Sequence, residues 1–171
     1  LTIDGQPVRT KTVLLATGSN HRKLDVPGED ELYGRGVHYC ATCDGAFYRD
    51  KRLIVVGGGN SAVQEAIFLT RYATHIDLLV RSELRASEVL QRELQKYVDA
   101  GNITVHLGVV TDEIIVKDDK FYGVKSTQNG EPREFVADGL FVFIGLIPNT
   151  QFLVDSDVTL DLGGHIVTDE H

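Results

Sequence analysis

The sequence predicts an α/β fold: a doubly wound parallel sheet joined to a three-stranded antiparallel meander. Three features carry that expectation. Apolar runs at Leu53–Val56, Ile76–Val80 and Ile103–Leu107 alternate with segments of helical period. A glycine turn, Gly57-Gly58-Gly59-Asn60-Ser61-Ala62, falls between the first such run and the first helical segment. Beyond Gly108 the pattern changes to half-apolar runs separated by tight reversals.

Leu1-Thr2-Ile3 reads as a strand, and Asp4-Gly5 as a hairpin turn into Val8 to Leu15. Val13-Leu14-Leu15 is expected as a short buried strand closing on Ala16-Thr17-Gly18. From Ser19 to Tyr39 the chain is polar, with Pro27-Gly28 as a breaker, and reads as a linker plus a loop. Leu53 to Val56 is continuously apolar, the signature of a parallel strand buried on both faces. Ser61 to Ala73 sets Val63, Ala66, Ile67 and Leu69 on one side of a helix. Ile76 to Val80 is the second strand. Ser87 to Val98 repeats the helical period through Val89, Leu90, Leu94 and Val98, and stops near Gly101-Asn102. Ile103 to Leu107 is the third strand, and this β-α-β-α-β order favours helices on both faces of the sheet. Val109 to Lys117, Phe121 to Thr127 and Glu134 to Ala137 predict the meander, with Asn129-Gly130 as a reversal. Gly139 to Ile144 is a returning apolar strand stopped by Pro148-Asn149, and Gly163 to Val167 reads as the beginning of another.

Composition narrows the class. With 42% hydrophobic and 25% charged residues among 171, the chain is ordinary for a soluble globular protein. A formal charge of −8 argues against nucleic acid or an anionic membrane as the main partner, because both demand a basic footprint. The longest apolar runs, such as Leu140 to Leu146, are too short to span a bilayer. No signal-peptide pattern opens the chain. The two cysteines have no other thiol to pair with, so a reducing, cytoplasmic setting is expected. The chain holds no Met and opens in mid-strand, and is expected to be a piece cut from a longer protein.

Gly57, Gly59 and Ala62 fit G-x-G-x-x-A directly after a strand and at the opening of a helix. Gly57 permits the tight turn, Gly59 lets the backbone approach a pyrophosphate, and Ala62 lets helix and strand lie close. The helix start offers N–H groups and a favourable dipole to phosphates. An NAD or FAD site usually carries an acid at the end of the second strand to bind ribose hydroxyls. Here the chain reads Val80-Arg81-Ser82-Glu83-Leu84-Arg85. Arg81 and Arg85 can grip a 2′-phosphate that a carboxylate would repel, so NADPH is expected, with NADH as the other possibility.

Cys40-Ala41-Thr42-Cys43 is followed at once by Asp44. A zinc site needs four ligands and only two thiolates are present, although His38 is near; two inert buried cysteines are a further reading. The reading taken is a redox dithiol, one thiolate attacking a partner disulfide and the second resolving the mixed intermediate. A C-x-x-C that begins a helix lowers a thiol pKa. Asp44 either moves protons during exchange or stabilises the helix start, and the sequence does not separate the two. A hydride donor does not reduce a disulfide efficiently without a mediator, and flavin is the usual relay. Only one complete dinucleotide fingerprint is present.

Ala16-Thr17-Gly18, the run Cys40 to Gly45, the turn Gly57 to Ala62, and Ile144-Gly145 through Pro148-Asn149 together resemble bacterial-type, low-molecular-weight thioredoxin reductases. The resemblance implies a Rossmann-like NADPH-binding domain over residues 21–145, carrying the redox dithiol, inserted in a discontinuous FAD domain. Residues 1–20 would be a remnant of that FAD domain, and 146–171 a hinge and the start of its returning segment. Thr17 and Gly18 would line the flavin side, and the chain as given would be unable to hold FAD. It implies electron flow from NADPH through FAD to Cys40 and Cys43, then to thioredoxin or a related disulfide protein. Cys43 would face the flavin, Cys40 would attack thioredoxin, and Asp44 would handle protons. Catalytic residues are thus Cys40, Cys43 and Asp44, and cofactor contacts Gly57 to Ala62, Arg81, Arg85, Ile144, Gly145, Thr17 and Gly18; no metal is expected. The intact protein would be a homodimer whose domain rotates on hinges near Asn20 to Leu24 and Gly145 to Asn149.

One departure concerns the 2′-phosphate patch, which in the resembled family reads H-R-R-x-x-x-R. Here the histidine and the second arginine are lost and the segment is one residue shorter. The alkyl hydroperoxide reductase flavoproteins, which share the fold and favour NADH, have an acid at the Val80 position. A reductase for a peroxiredoxin, an oxidase for small dithiols, and a nucleotide-binding module with no activity of its own are the alternatives.

Overall fold

The computed structural model describes residues 2–168. Two compact units divide the chain: Leu1–Asn20 with Leu146–His171, and His21–Gly145. In chain order the strands are β1 (Thr2–Ile3), β2 (Gln6–Pro7), β3 (Ser19–His21), β4 (Val37–His38), β5 (Arg52–Val56), β6 (His75–Val80), β7 (Ile103–Leu107), β8 (Val109–Lys117), β9 (Lys120–Gln128), β10 (Glu131–Val136), β11 (Gly139–Val142) and β12 (Leu146–Pro148). The α-helices are α1 (Ala41–Asp44), α2 (Asn60–Leu69) and α3 (Glu88–Asp99).

In the smaller unit β1 and β2 form a hairpin, Ile3 opposite Gln6, about a turn in which Asp4 and Gly5 both have positive φ. That is the turn expected at Asp4-Gly5. The strand expected from Val8 to Leu15 does not form, since the ladder stops at Pro7 and Leu14 is 91% exposed. A strand is held by ladder hydrogen bonds to a neighbour, and none of the described residues supplies one to Val13-Leu14-Leu15. β12 pairs with β3. At Gly163 to Val167 the expected strand is only a single bridge, Leu160 to Ile166, because Gly164 turns the chain at φ +81°. The expected strand start at Leu1 lies outside the described residues.

The larger unit is built on a five-stranded parallel sheet, ordered β4-β11-β5-β6-β7. The apolar runs are buried as their composition requires: Leu53, Ile54 and Val55 on β5, and Ile76, Leu78 and Leu79 on β6, have no exposed surface. Val63, Ala66 and Leu69 of α2 and Leu94 of α3 pack on one face with Leu53, Val55, Leu78 and Phe141. The other face is covered by the meander: Ile54, Val56, Leu79, Leu140 and Val142 pack with Val109, Ile114, Phe121, Val124 and Phe135. Helices therefore occupy one face and not both. Two successive right-handed crossovers that step the same way along a sheet leave their helices on the same side.

Helix α2 stops at Leu69, short of the expected Ala73. Thr70 turns back, its N–H and hydroxyl both donating to the Ile67 carbonyl. On α3, Val89 lies on the solvent side, 73% exposed, and Leu94 alone is fully buried. The meander reverses twice through paired left-handed residues: Asp118 and Asp119 between β8 and β9, then Asn129 and Gly130 between β9 and β10. No described helix is long and apolar enough to cross a membrane.

Candidate functional site

Strand β4 ends at His38, and one buried residue later the chain turns into α1 with Cys40 as its N-cap. The three-residue spacing on that single turn sets the two Cα atoms 5.3 Å apart, and Cys40 and Cys43 are joined as a disulfide. The backbone N–H of Cys43 donates to Cys40 Sγ at 3.2 Å. Cys43 is exposed and Cys40 half-buried. Ala41 is buried against the helical face of the sheet, which anchors the turn to the core.

Asp44, half-buried, closes the same turn and donates its N–H to the Cys40 carbonyl. Its Oδ2 lies 3.1 Å from Nδ1 of His38. The angle there falls short of a hydrogen bond, so Nδ1 is a buried atom without a formed partner facing a carboxylate. The other ring nitrogen, Nε2, is 2.6 Å from the Tyr48 hydroxyl. Burial holds His38 below the usual imidazole range, against the opposing pull of Asp44. Burial, together with Asp44 and Asp138, pushes the Tyr48 phenol up to about 12. His38 entered the sequence reading only as a neighbour of the cysteines in the zinc alternative, and Tyr48 not at all: neither belongs to a motif, and β4 is only two residues long.

Gly57 follows β5 with φ +143°, and a Cβ there would fall 2.2 Å from the Phe143 carbonyl oxygen and 2.8 Å from Ala62 Cβ. Turn and helix are therefore in contact, and both positions must stay small. At Gly59, by contrast, an added Cβ would meet nothing within 4 Å. Gly59 is also the N-cap of α2 and has no side chain to cap it, so the first-turn N–H groups are left for another acceptor. Asn60 does not cap either; its Oδ1 accepts from the N–H of Ser87 at 2.8 Å. An open approach over uncapped N–H groups fits a dinucleotide pyrophosphate.

The loop after β6 is fastened to this turn. The Gly58 carbonyl accepts from the N–H of Arg85 at 2.7 Å and of Ala86 at 3.2 Å. Arg81 and Arg85 are exposed, as is Glu83 between them. Among the described residues neither arginine is in an ion pair. Ile144 packs at the edge of the core on the meander side, and the Gly145 carbonyl accepts from the N–H of Arg22 at 3.0 Å. Thr17 and Gly18 belong to the smaller unit, where their carbonyls accept from the side chain and backbone of Asn149, each at 3.0 Å. Within the larger unit, then, Cys40, Cys43, Asp44, the turn Gly57 to Ala62, Arg81, Arg85, Ile144 and Gly145 all follow the carboxyl ends of parallel strands. Among the described residues no three His, Cys, Asp or Glu side chains converge as a metal site.

A parallel sheet that carries a glycine turn and a C-x-x-C disulfide at one edge defines a dinucleotide-type fold equipped for thiol–disulfide exchange. The chain belongs to the pyridine nucleotide-disulphide oxidoreductase family, whose description matches residues 2–171. It is 42% identical to a thioredoxin reductase of Listeria monocytogenes over 99% of this chain and 53% of that protein. It is 41% identical to an alkyl hydroperoxide reductase component of Pseudomonas putida, over 96% of this chain and 32% of that one. Among solved structures, the Lactococcus lactis thioredoxin reductase in its FR conformation is 40% identical with a TM-score of 0.80, covering 90% of this chain and 50% of that one. The T. acidophilum thioredoxin reductase is 36% identical, also with a TM-score of 0.80, over 90% of this chain and 50% of that one. The chain thus spans about half the length of the thioredoxin reductases it matches.

Proposed function

We propose that this chain is the NADPH-binding and redox-dithiol portion of a flavoprotein disulfide reductase that, when intact, acts on thioredoxin or a related disulfide protein as a cytoplasmic homodimer. The observation behind this reading is that the disulfide and the glycine turn lie at the same edge of one sheet, separated only by β11. Two strand spacings put the ends of β4 and β5 about 10 Å apart. The carboxyl edge of a parallel sheet is where such folds bind their ligands.

Gly57 and Ala62 hold the turn tight, Gly59 leaves room for a pyrophosphate, and Arg81 and Arg85 offer guanidinium groups to a 2′-phosphate. Bound nicotinamide nucleotide supplies a hydride, and flavin a two-electron relay to the disulfide. Two electrons delivered at Cys43 would cleave the S–S bond and leave both sulfurs as thiolates, that of Cys40 being the sulfur that the Cys43 N–H already contacts. Asp44 carries the accompanying proton.

In the outward half-reaction a thiolate attacks the partner disulfide, forming a mixed disulfide and displacing one partner thiolate. The second cysteine resolves it, restoring the Cys40–Cys43 bond, and the dithiol's protons leave with the two partner thiols. The resemblance gives the attack to Cys40, the sulfur at the N-cap of α1, with Cys43 resolving the mixed disulfide.

The test has two arms. Calorimetric titration of the chain with NADPH and NADH is expected to show tighter binding of NADPH, and binding of neither overturns the nucleotide reading. Mixing the reduced chain with oxidised thioredoxin, followed by alkylation and mass analysis, is expected to return Cys40 and Cys43 as a disulfide. The likeness to an alkyl hydroperoxide reductase component supports a second reading, reduction of a peroxiredoxin partner. Equal or tighter NADH binding with no exchange with thioredoxin would favour it.

A further inference from the structure

We propose that His38 is a positioning residue for thiol–disulfide exchange: through Nδ1–H it holds the carboxyl group of Asp44 in the orientation that moves a proton between attacking and leaving sulfurs. The inference rests on the assignment of proton transfer to Asp44 made above.

His38 is fixed from three sides. Its backbone is in β4, level with Phe141 of β11, and its ring stacks on the Phe141 ring at 5.1 Å and 27°. Tyr48, four residues beyond Asp44, meets the ring edge-on at 5.3 Å and lies 2.6 Å from Nε2. The histidine side chain is only 6% exposed, so its tautomer is set by these neighbours and not by water. An ionised Asp44 selects the tautomer with the proton on Nδ1, since a lone pair facing a carboxylate at 3.1 Å would be repulsive. Nε2 is then an acceptor, and the Tyr48 hydroxyl donates to it. The phenol stays protonated across the physiological range, so this donor is always available. The buried N–H without a formed partner and the half-buried carboxyl beside it need only a small rotation of Asp44 to bond. Asp44 takes the proton of the attacking thiol and passes it to the departing sulfur, while His38 keeps its own proton throughout.

The reaction of the reduced chain with two disulfides separates this role from a structural one. Oxidised glutathione expels an alkyl thiol that needs a proton, whereas 5,5′-dithiobis(2-nitrobenzoate) expels an aromatic thiolate that does not. His38→Ala is expected to slow exchange with oxidised glutathione about five- to tenfold and to leave the aromatic reaction within about twofold. His38→Asn, which restores an N–H near the Nδ1 position, is expected to recover most of the loss. Tyr48→Phe, which removes the donor that fixes the tautomer, is expected to give the same contrast at smaller size, and carries the test should the Ala variant not fold. Equal slowing with both disulfides, or slowing with neither, overturns the proposal. Asp44→Asn distinguishes the two levels: if it lacks the contrast, the proton-transfer reading of Asp44 falls and this inference with it. If it has the contrast and the His38 and Tyr48 variants do not, only the inference falls.

Discussion

The backbone N–H of Arg85 donates to the carbonyl of Gly58 at 2.7 Å, so the loop that bears both strand-end arginines is built onto the glycine turn itself. Whatever the turn holds, Arg81 and Arg85 are held near one end of it.

Replacing either arginine by alanine is expected to weaken NADPH binding roughly tenfold, the worth of one charge-assisted contact on an exposed surface. NADH binding, which has no 2′-phosphate to lose, is expected to stay within about twofold. Parallel calorimetric titrations of each variant check this; equal losses for both nucleotides would assign the arginines to something other than the 2′-phosphate.

Gly57→Ala and Gly59→Ala should behave differently although they are two residues apart. At Gly57 the new methyl collides with the Phe143 carbonyl and with Ala62 at a positive φ, so a loss of about 3 kcal/mol or more is expected in urea unfolding. At Gly59 the methyl meets nothing within 4 Å, so stability is expected to change by less than about 1 kcal/mol. Nucleotide affinity is nonetheless expected to fall at Gly59, because the methyl occupies the approach of the pyrophosphate. Unaltered affinity would remove Gly59 from the site.

Stability is expected to fall as pH drops below about 6.5, the ordinary imidazole value. Burial lowers the folded-state pKa of His38, so the unfolded chain binds the extra proton first, and the slope of unfolding free energy against pH is positive in that window. Tyr48 acts at the other end: its folded pKa of about 12 exceeds the unfolded value near 10, so stability is lost as pH rises between the two. Urea midpoints across pH for the parent chain and for His38→Asn test the acid limb, which should flatten in the variant.

Glu29 is 2% exposed, and its carboxylate accepts from the N–H groups of Leu24 and Asp25 and from the hydroxyl of Tyr39, the residue before Cys40. Glu29→Ala leaves the buried Tyr39 hydroxyl and two part-buried backbone donors unpaired and is expected to cost about 3 kcal/mol or more. Tyr39→Phe, which removes one of them, should cost about 1.5 kcal/mol. Thermal melts of the two variants test the ordering; equal losses would argue that the hydroxyl, and not the loop amides, is the bond that matters.

Legibility in the sequence followed the range of the interactions involved. The parallel strands, the glycine turn and the Asn129-Gly130 reversal were readable because each is written in residues that are neighbours in the chain. Val13-Leu14-Leu15 misled because apolar character marks a strand only where another strand lies beside it. The face covered by the meander was missed because a crossover's handedness fixes which side a helix takes, and no local pattern reports it. The roles of His38, Tyr48 and Glu29 were missed for a further reason: their partners, Asp44, Phe141 and Tyr39, are met only once β4 lies in the sheet. The pairing of Cys40 with Cys43 was the opposite case, since four consecutive residues hold everything it needs.

Strand β11 lies between β4 and β5 in space but follows both by most of the domain's length, with Phe141 registered against His38 and Val55. Among the described residues β4 has two residues registered in the sheet, and both pair with β11. During synthesis the cysteine pair therefore has no sheet to hang from until the meander has passed and its return strand has docked. A chain arrested before that point could already close its disulfide, which is local, yet would have no ordered edge on which to carry it. The edge bearing the cysteines is thus the last part of the sheet to be seated and, having so few ladder bonds, should be the first to exchange its amide hydrogens.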